Sequence, residues 1–429
     1  MERNIYTSLL AWKNSKDRKP LVLYGARQVG KTYILKEFGK NEYKNVLYLN
    51  FDTNKELHNY FASDISPQRI IDSLRALFNQ EINANDALII FDEIQECQRA
   101  KDSLKYFNEN APEYHIAAAG SFLGISSGKF PVGQVDRLTL YPLSFFEFLK
   151  ATDNDILLKS LENDKFSNPA MHVLATERLK QYFYVGGMPE AVKTYAKTGD
   201  LMLTRQIQEN ILANYKEDFF KHIKSNDIPK VRMLWDSVPV HLAKEKKKFV
   251  YKELKQGGRA AEFENALDWL INTGLVYKVS NTQEAKIPLV AYEERENFKI
   301  YMHDVGLLAA AAKLDIKTFF SAEHDIFREF KGAMAEQFVL QELKPKNYPI
   351  CFWTNSTGKA EVDFVIQYED KILPLEVKSG ENTKAKSLGV YLEKYCPQIA
   401  LRASLSDYVK KPDLIDIPLY SIGQFPKII

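Results

Sequence analysis

The stretch PLVLYGARQVGKTYILKEFG, from Pro20 to Gly39, constrains this chain more than any other. Its apolar LVLY has the length and composition of a short buried strand. The next eight residues, Gly25, Ala26, Arg27, Gln28, Val29, Gly30, Lys31 and Thr32, fit G-x-x-x-x-G-K-T, the pattern of a phosphate-binding loop. Gly25 and Gly30 supply backbone freedom, so that consecutive N–H groups can turn toward phosphate oxygens. Lys31 sets a point charge on the β- and γ-phosphates. Thr32 offers a hydroxyl to Mg²⁺ where a helix begins, and helix starts favour anions. The competing account, a Gly-rich turn with a stray lysine, leaves the strand before and the helix-like TYILKEF after unexplained. ATP and Mg²⁺ are the expected cofactors.

A nucleotide site of this kind needs an acid at the end of a neighbouring strand. NVLYLNFD (45–52) reads as a second strand, and ALIIFDE (87–93) ends in Asp92 and Glu93. Asp92 is expected to help hold Mg²⁺, and Glu93 to polarise the attacking water in ATP hydrolysis. Strands alternating with helices predict the parallel sheet on which such sites are built. HIAAAGS (115–121) is a further strand ending at Ser121, which either contacts the γ-phosphate or is a turn serine.

With 429 residues the chain exceeds one ordinary core, and two to four domains are expected. The net charge of +2 requires any nucleic-acid affinity to come from local patches. Cys97, Cys351 and Cys396 match no zinc or disulfide spacing, which fits a reducing cytoplasm. The N-terminal residues hold no apolar stretch of signal-peptide length. VGLLAAAA (305–312), the longest apolar run, is too short to span a bilayer, so no membrane partner is expected.

YGARQVGKT, LIIFDEIQE, AAGSFLG, LYPLSFFEFL, YVGGMPEAV, FKIYMHDVGLLAA and AEVDFVIQYEDKILPLEVKSG, in that order, resemble the prokaryotic AAA-type ATPase family with a C-terminal domain of unknown function. The resemblance spans nearly the whole chain. It implies an α/β fold: an AAA-like P-loop parallel-sheet domain with a helical lid, a winged-helix-like segment, and a C-terminal restriction-endonuclease-like α/β domain related to the PD-(D/E)XK nucleases. The corresponding spans are 1–150, 151–230, 231–322 and 323–429. It also leaves room for a homo-oligomer. Many relatives carry Gly-Arg or Gly-Lys where this chain has Gly133-Gln134, which puts a trans-acting basic finger in doubt. Arg137 is a poor substitute.

In the middle, Gly186, Gly187 and Pro189 predict a tight turn before a helix. Tyr215, Phe219 and Ile223 fall on one helical stripe, a core pattern. Between Lys244 and Arg259 there are seven Lys/Arg against two acids, followed by a helix with Phe263, Leu267 and Leu270 inward and then a strand. Helix, turn, helix and β-wing is the order of a winged helix, which sets a helix in a DNA groove. Lys246, Lys247, Lys248, Lys252, Lys255 and Arg259 would then face phosphates, making DNA an expected partner; the alternative is a solvated basic face. His303 and Asp304 stand side by side without a Ser or Cys nucleophile motif, which favours a structural pair.

KGAMAEQFVLQEL (331–343) reads as a helix on which Glu336 shares a face with Val339, Leu340 and Leu343. Two strands joined by QYEDK follow. Side-chain alternation puts Glu361 and Asp363 on one face of the first strand, and Glu376 and Lys378 on one face of the second. Paired as a hairpin, these sets meet, and Glu336 closes the cluster. Glu336, Asp363 and Glu376 are therefore expected to hold a divalent cation, with Lys378 orienting water or stabilising charge on a phosphate. Asp363, Glu376 and Lys378 fit D-x₁₂-E-x-K, and the resemblance assigns them the catalytic roles of metal-dependent DNA cleavage. A salt-bridged surface face is the plainer alternative.

Overall fold

LVLY forms a strand, Leu21–Tyr24 (β1), buried by parallel neighbours on both edges. The computed structural model describes all residues except 122–129, 132, 164–167, 245–246, 321–327 and 381–385. Lys246, the expected boundary at 322–323, and Phe122, Leu123 and Gly124 of the AAGSFLG stretch lie outside the described residues. Contacts divide the chain into two units. The front unit holds Glu2–Tyr141 and Asn272–Gly274; the rear unit holds Pro142–Ile271 and Leu275–Ile429.

In the front unit, β1 is joined by Asn45–Asn50 (β2), Ala87–Asp92 (β3), His115–Ala119 (β4) and Asp136–Thr139 (β5) in a five-stranded sheet of order β2-β3-β4-β1-β5. Every pairing is parallel. Four helices accompany it: Ile5–Asn14 (α1), Lys31–Glu42 (α2), Pro67–Phe78 (α3) and Gln98–Asn110 (α4). β3 and β4 are buried along their whole length, which is why their sequences are apolar without alternation. Phe51, Phe61 and Phe91 meet edge to face in the core beside Ile70, Leu74 and Leu104. β5 carries no apolar run, and only its pairing with β1 makes it a strand.

The rear unit begins with helices Phe145–Ala151 (α5), Asp155–Glu162 (α6), Pro169–Val185 (α7), Pro189–Thr198 (α8), Leu201–His222 (α9), Ile228–Leu242 (α10) and Ala260–Asn272 (α11). Their starts follow local chemistry. Ser144 and Glu147 form a capping box at α5, Pro189 opens α8 after the expected turn, and Asp200 accepts from Met202 and Leu203 N–H at α9. Tyr215 and Phe219 are buried and Ile223 is half-buried, as a core stripe requires.

Strands Val276–Thr282 (β6) and Glu293–Met302 (β7) follow, then helices Val305–Ala311 (α12), Ile316–Phe320 (α13) and Arg328–Leu343 (α14). The chain ends with Ile350–Thr354 (β8), Glu361–Tyr368 (β9), Lys371–Val377 (β10), helix Lys386–Tyr395 (α15), Ala400–Ser404 (β11), Val409–Lys410 (β12) and Leu414–Pro418 (β13). These strands form one sheet of order β12-β13-β11-β10-β9-β8-β6-β7. Backbone pairing of Asn281 and Thr282 with Phe352 and Trp353 joins the β6–β7 pair to the C-terminal strands. The β6–β7 pair and the C-terminal strands thus share a single sheet.

Helix α14 is buried on every side from Ala333 to Leu343. Its polar residues are consumed internally. Gln337 donates to the Met302 carbonyl, Gln341 accepts from Val305 N–H and donates to Tyr182, and Glu342 accepts from Phe145 N–H. Where α7 meets α12, Asp304 accepts from Gly187 N–H at 2.6 Å and from Leu307 N–H at 2.9 Å. Gly186 has φ 73°, and a Cβ there would stand 2.2 Å from an Asp304 oxygen, so only glycine fits. His303 is enclosed between Tyr215 and the Leu275 carbonyl. The His303-Asp304 pair is therefore structural.

Candidate functional site

Because the front sheet is wholly parallel, the C-terminal ends of β1, β3 and β4 open on one edge, where ligands of such sheets bind. The Gly25–Thr32 loop leaves β1 and runs into α2, with Gly30 in a left-handed conformation at the helix start. Gly25 has φ 142°, and a Cβ there would come within 2.2 Å of the Leu140 carbonyl oxygen. Gln28 also has positive φ, 66°. Arg3, buried at the N-terminus, donates to the Val29 carbonyl at 3.2 Å and to the Tyr141 carbonyl at 2.5 Å, tying the loop to the chain after β5.

Lys31 is folded into its own loop. Its ammonium donates to the Gly25 and Ala26 carbonyls at 2.9 and 2.8 Å. Burial lowers its pKa to about 8, against the opposing pull of Glu93 and Asp92. Thr32 Oγ1 donates to Asp92 Oδ2 at 2.9 Å, and Tyr48 donates to the same oxygen at 2.7 Å. The expected hydroxyl–carboxylate pair for Mg²⁺ is thus assembled from two strand ends that β4 separates. Mg²⁺ needs few protein ligands beside phosphates and water, and this pair fits that demand.

Glu93 stands next to Asp92 with φ 48°, a left-handed conformation unusual for a non-glycine residue. Ser121 donates to its carboxylate from Oγ at 3.1 Å and from N–H at 3.3 Å, and Gln95 donates at 2.6 Å. The Ser121 hydroxyl is therefore committed to orienting Glu93. Gln134 is bonded to Asn108 and Glu109 of α4, and Arg137 stacks over the Tyr24 ring at 5.7 Å. Tyr48, Gln95 and Arg3 were not legible as site residues. Arg3 and Tyr48 act across the fold on motif residues, and Gln95 acts on Glu93 from two residues further along the same motif.

In the rear unit, β9 and β10 form the expected hairpin. Leu375 lies opposite Phe364, and one further step in the same register sets Glu376 opposite Asp363. Asp363 Oδ2 accepts from Val377 N–H at 2.8 Å, and α14 brings Glu336 against Asp363. The three acids do converge. The surprise is their company. Lys247 is ion-paired with Glu336 Oε1. Lys299, fully buried on β7, stands 3.6 Å from Glu336 Oε2 and 2.6 Å from Glu361 Oε1. Lys378 bonds Glu376 Oε1 at 2.6 Å, and Tyr301 donates to Glu336 Oε2 at 3.2 Å.

These contacts set the charges. Burial raises Asp363, and neighbouring Glu336 and Glu376 raise it further, so it holds a proton well above the usual carboxylate range. Burial works against ionised Glu336, but Lys247 and Lys299 win and hold it below that range. Burial also opposes the Lys299 charge, yet the carboxylates of Glu336 and Glu361 keep the ammonium charged. With Asp363 protonated, carboxylates 336, 361 and 376 balance ammoniums 247, 299 and 378. The inner members of the cluster, Glu336, Glu376 and Lys299, are withdrawn from water, where unpaired charge is costly.

As the side chains stand, no three His, Cys, Asp or Glu among the described residues are spaced to hold a metal ion together. The acids expected to bind a cation are arranged around lysines, and this arrangement does not fit a divalent ion. Two atoms of the cluster, Glu376 Oε2 and the Lys299 ammonium nitrogen, are buried with no well-formed hydrogen bond among the described residues, although Lys299 keeps its ion pairs.

Lys247 also departs from its expected place on a phosphate-facing set, because its charge points inward to Glu336. Lys248, Lys252, Lys255 and Arg259 are exposed, with Lys255 paired to Glu262 at 3.1 Å. Among the described residues no helix is long and apolar enough to cross a membrane.

Residues 17–149 match the AAA domain family. Residues 176–318 match a domain of unknown function, DUF8612, and residues 331–420 match another, DUF4143. No curated protein matches the chain. Among solved structures it is similar to the Walker-type ATPase PABY2304 of Pyrococcus abyssi, at 15% identity over 72% of this chain and 95% of that one, with a TM-score of 0.46. It is also similar to a Thermotoga maritima RuvB variant, at 13% identity over 65% and 89%, with a TM-score of 0.29. For the Aeropyrum pernix ORC1 protein in complex with DNA the values are 10% identity, 73% and 91%, and 0.27. Likenesses of this degree decide nothing about ligands. The domain match and the loop geometry together support an AAA-type ATPase for the front unit.

Proposed function

We propose that this protein is an ATP-hydrolysing, DNA-handling AAA-type protein. Its front unit binds ATP with Mg²⁺, and its rear unit carries a winged-helix-like basic segment and a nuclease-like tail. The observation that carries the reading is the Thr32–Asp92 pair, held 2.9 Å apart at the mouth of the Gly25–Thr32 loop.

In this reading, the loop N–H groups and Lys31 bind the phosphates once the ammonium leaves the Gly25 and Ala26 carbonyls. Thr32 and Asp92 would hold the Mg²⁺, which when bound supplies positive charge to the β- and γ-phosphates. Glu93, oriented by Ser121 and Gln95, accepts the proton of the attacking water. The exposed Lys248, Lys252, Lys255 and Arg259 offer charge to a DNA backbone, and such binding weakens steeply with added salt.

For the tail, a second reading has its own support: it binds DNA or a protein partner and cleaves nothing. The lysine-filled acid cluster favours it. Paired ATPase and cleavage assays on wild type, Lys31→Ala and Asp363→Ala separate the possibilities, using plasmid, linear and single-stranded DNA with Mg²⁺ or Mn²⁺. The front-end reading fails if Lys31→Ala leaves ATP affinity and hydrolysis unchanged. Cleavage by wild type that Asp363→Ala abolishes selects the nuclease; binding without cleavage in every nucleotide state selects the second reading. A homo-oligomer would show as nucleotide-dependent mass in light scattering.

A further inference from the structure

Tyr48 stands at the candidate nucleotide site without belonging to the phosphate-loop pattern. β2 runs parallel to β3 with Asn50 opposite Asp92, and Tyr48, two residues earlier, shares the face of Asn50. Its phenol reaches Asp92 Oδ2 at 2.7 Å, beside the Thr32 hydroxyl at 2.9 Å on the same oxygen. Asp92 Oδ1 accepts from Glu93 N–H at 3.2 Å. The described donors to Asp92 are thus all neutral, and they come from β2, from α2 and from the residue that follows it.

Asn50 fixes the direction of the Tyr48 bond. Its Oδ1 accepts from Asp52 N–H at 3.0 Å and from Thr53 N–H at 2.9 Å, so its amide group faces the phenol and donates to it at 3.1 Å. With a donor already on its oxygen, the phenol has its hydrogen for Asp92. The ring is held separately, by the Lys36 ammonium of α2, which lies 3.3 Å from the ring centroid. We propose that Tyr48 is a positioning residue for the metal side of the nucleotide site: its hydroxyl fixes the Asp92 carboxylate beside Thr32, in the setting that Mg²⁺ requires. This rests on the ATPase reading of the front unit. Thr32 is shared between carboxylate and cation in that reading, whereas the Tyr48 hydroxyl is committed to Asp92. Hydrogen-bonding partners of this kind hold a metal-binding carboxylate in one orientation and leave its charge intact.

The test uses the full chain and a fluorescent ATP analogue, titrated across a range of Mg²⁺ concentrations and again in EDTA, on wild type, Tyr48→Phe and Asp92→Asn. Tyr48→Phe keeps the ring beside Lys36 and deletes the hydroxyl alone. It is expected to raise the Mg²⁺ concentration for half-maximal nucleotide binding by about tenfold, the scale of losing such a partner, while affinity in EDTA matches wild type. Turnover should show the same split, falling at low Mg²⁺ and recovering toward wild type at saturating Mg²⁺. Asp92→Asn should lose the Mg²⁺ dependence of binding. A tyrosine that only packs would lower affinity equally with Mg²⁺ and in EDTA. That result, or a Tyr48→Phe curve identical to wild type, overturns the proposal and leaves the ATPase reading standing. If wild type binds the nucleotide without any dependence on Mg²⁺, or does not bind it, the ATPase reading falls and takes the proposal with it. Should Tyr48→Phe fail to melt cooperatively, Asn50→Ser decides. It removes the amide that turns the phenol toward Asp92, yet leaves a hydroxyl to accept from the Asp52 and Thr53 N–H groups. A rise of about threefold in the Mg²⁺ requirement, the scale of one neutral hydrogen bond, supports positioning, and no rise overturns it.

Discussion

The two candidate sites of this protein gather carboxylates and a lysine to opposite effect. At the front, Lys31 rests on carbonyls of its own loop, and Asp92 and Glu93 are held by neutral donors: Thr32, Tyr48, Ser121 and Gln95. None of these three charges is cancelled by an ion pair among the described contacts. Neutral hydrogen bonds aim these groups and leave their charge uncancelled. At the rear, every acid of the cluster but Asp363 faces an ammonium, and Asp363 keeps a proton. One site is aimed; the other is quenched. An acid constellation is therefore not by itself a metal site, because the cations brought to it by the rest of the fold decide what it holds.

The contrast can be broken at its strongest point first. Lys31→Ala should lower ATP turnover by about 100-fold or more, the scale of losing a group aimed at developing charge, and should weaken nucleotide binding. Glu93→Gln should lose turnover while keeping affinity. A colorimetric phosphate assay and fluorescent-nucleotide binding check both, and an unchanged rate would remove the difference between the sites.

The quenched site should answer in stability instead. Lys299→Met strands Glu336 and Glu361 without their buried partner, and denaturant unfolding should show a loss of about 3–5 kcal/mol. A loss well under 1 kcal/mol would show that Lys299 is not the cluster's counter-charge.

A smaller effect sharpens the front. Lys31, with its pKa lowered to about 8 by burial, is charged below that pH and neutral above it. Nucleotide affinity should accordingly be flat below pH 8 and fall by up to about tenfold per unit above it. Fluorescent-nucleotide titrations from pH 6.5 to 9.5 read this directly.

The smallest effect belongs to the rear scaffold. Burial raises Glu342 to about 7, so between its unfolded value and that pH the folded state holds a proton that the unfolded chain has released. The resulting stability is full at low pH and is lost as pH rises through 7. The melting temperature of wild type should fall between pH 5 and 8, and that of Glu342→Gln should fall by a few degrees less.

How much of this was legible depended on distance along the chain. Gly25–Thr32 was readable because a phosphate loop is one continuous turn whose geometry its own glycines permit. Asp92, Glu93, Asp363 and Glu376 were readable because alternation and strand ends fix where a side chain points. Arg3, Tyr48 and Gln95 were not, since neither the strand pattern around Tyr48 nor the motif around Gln95 marks those side chains as partners of an acid, and Arg3 stands in no pattern at all. Lys247 was legible as basic but not as buried. Lys248 beside it is exposed, and Lys247 turns inward where α14 presents Glu336.

By itself, the sequence determined an ATPase-type loop on a parallel sheet, a helical middle and a hairpin bearing acids, because these follow from backbone periodicity and local turn chemistry. Only the tertiary structure decided which charges meet. Electrostatic partners act through space over a few ångströms, and residues 247, 299, 336 and 361 share no local pattern that would announce their encounter.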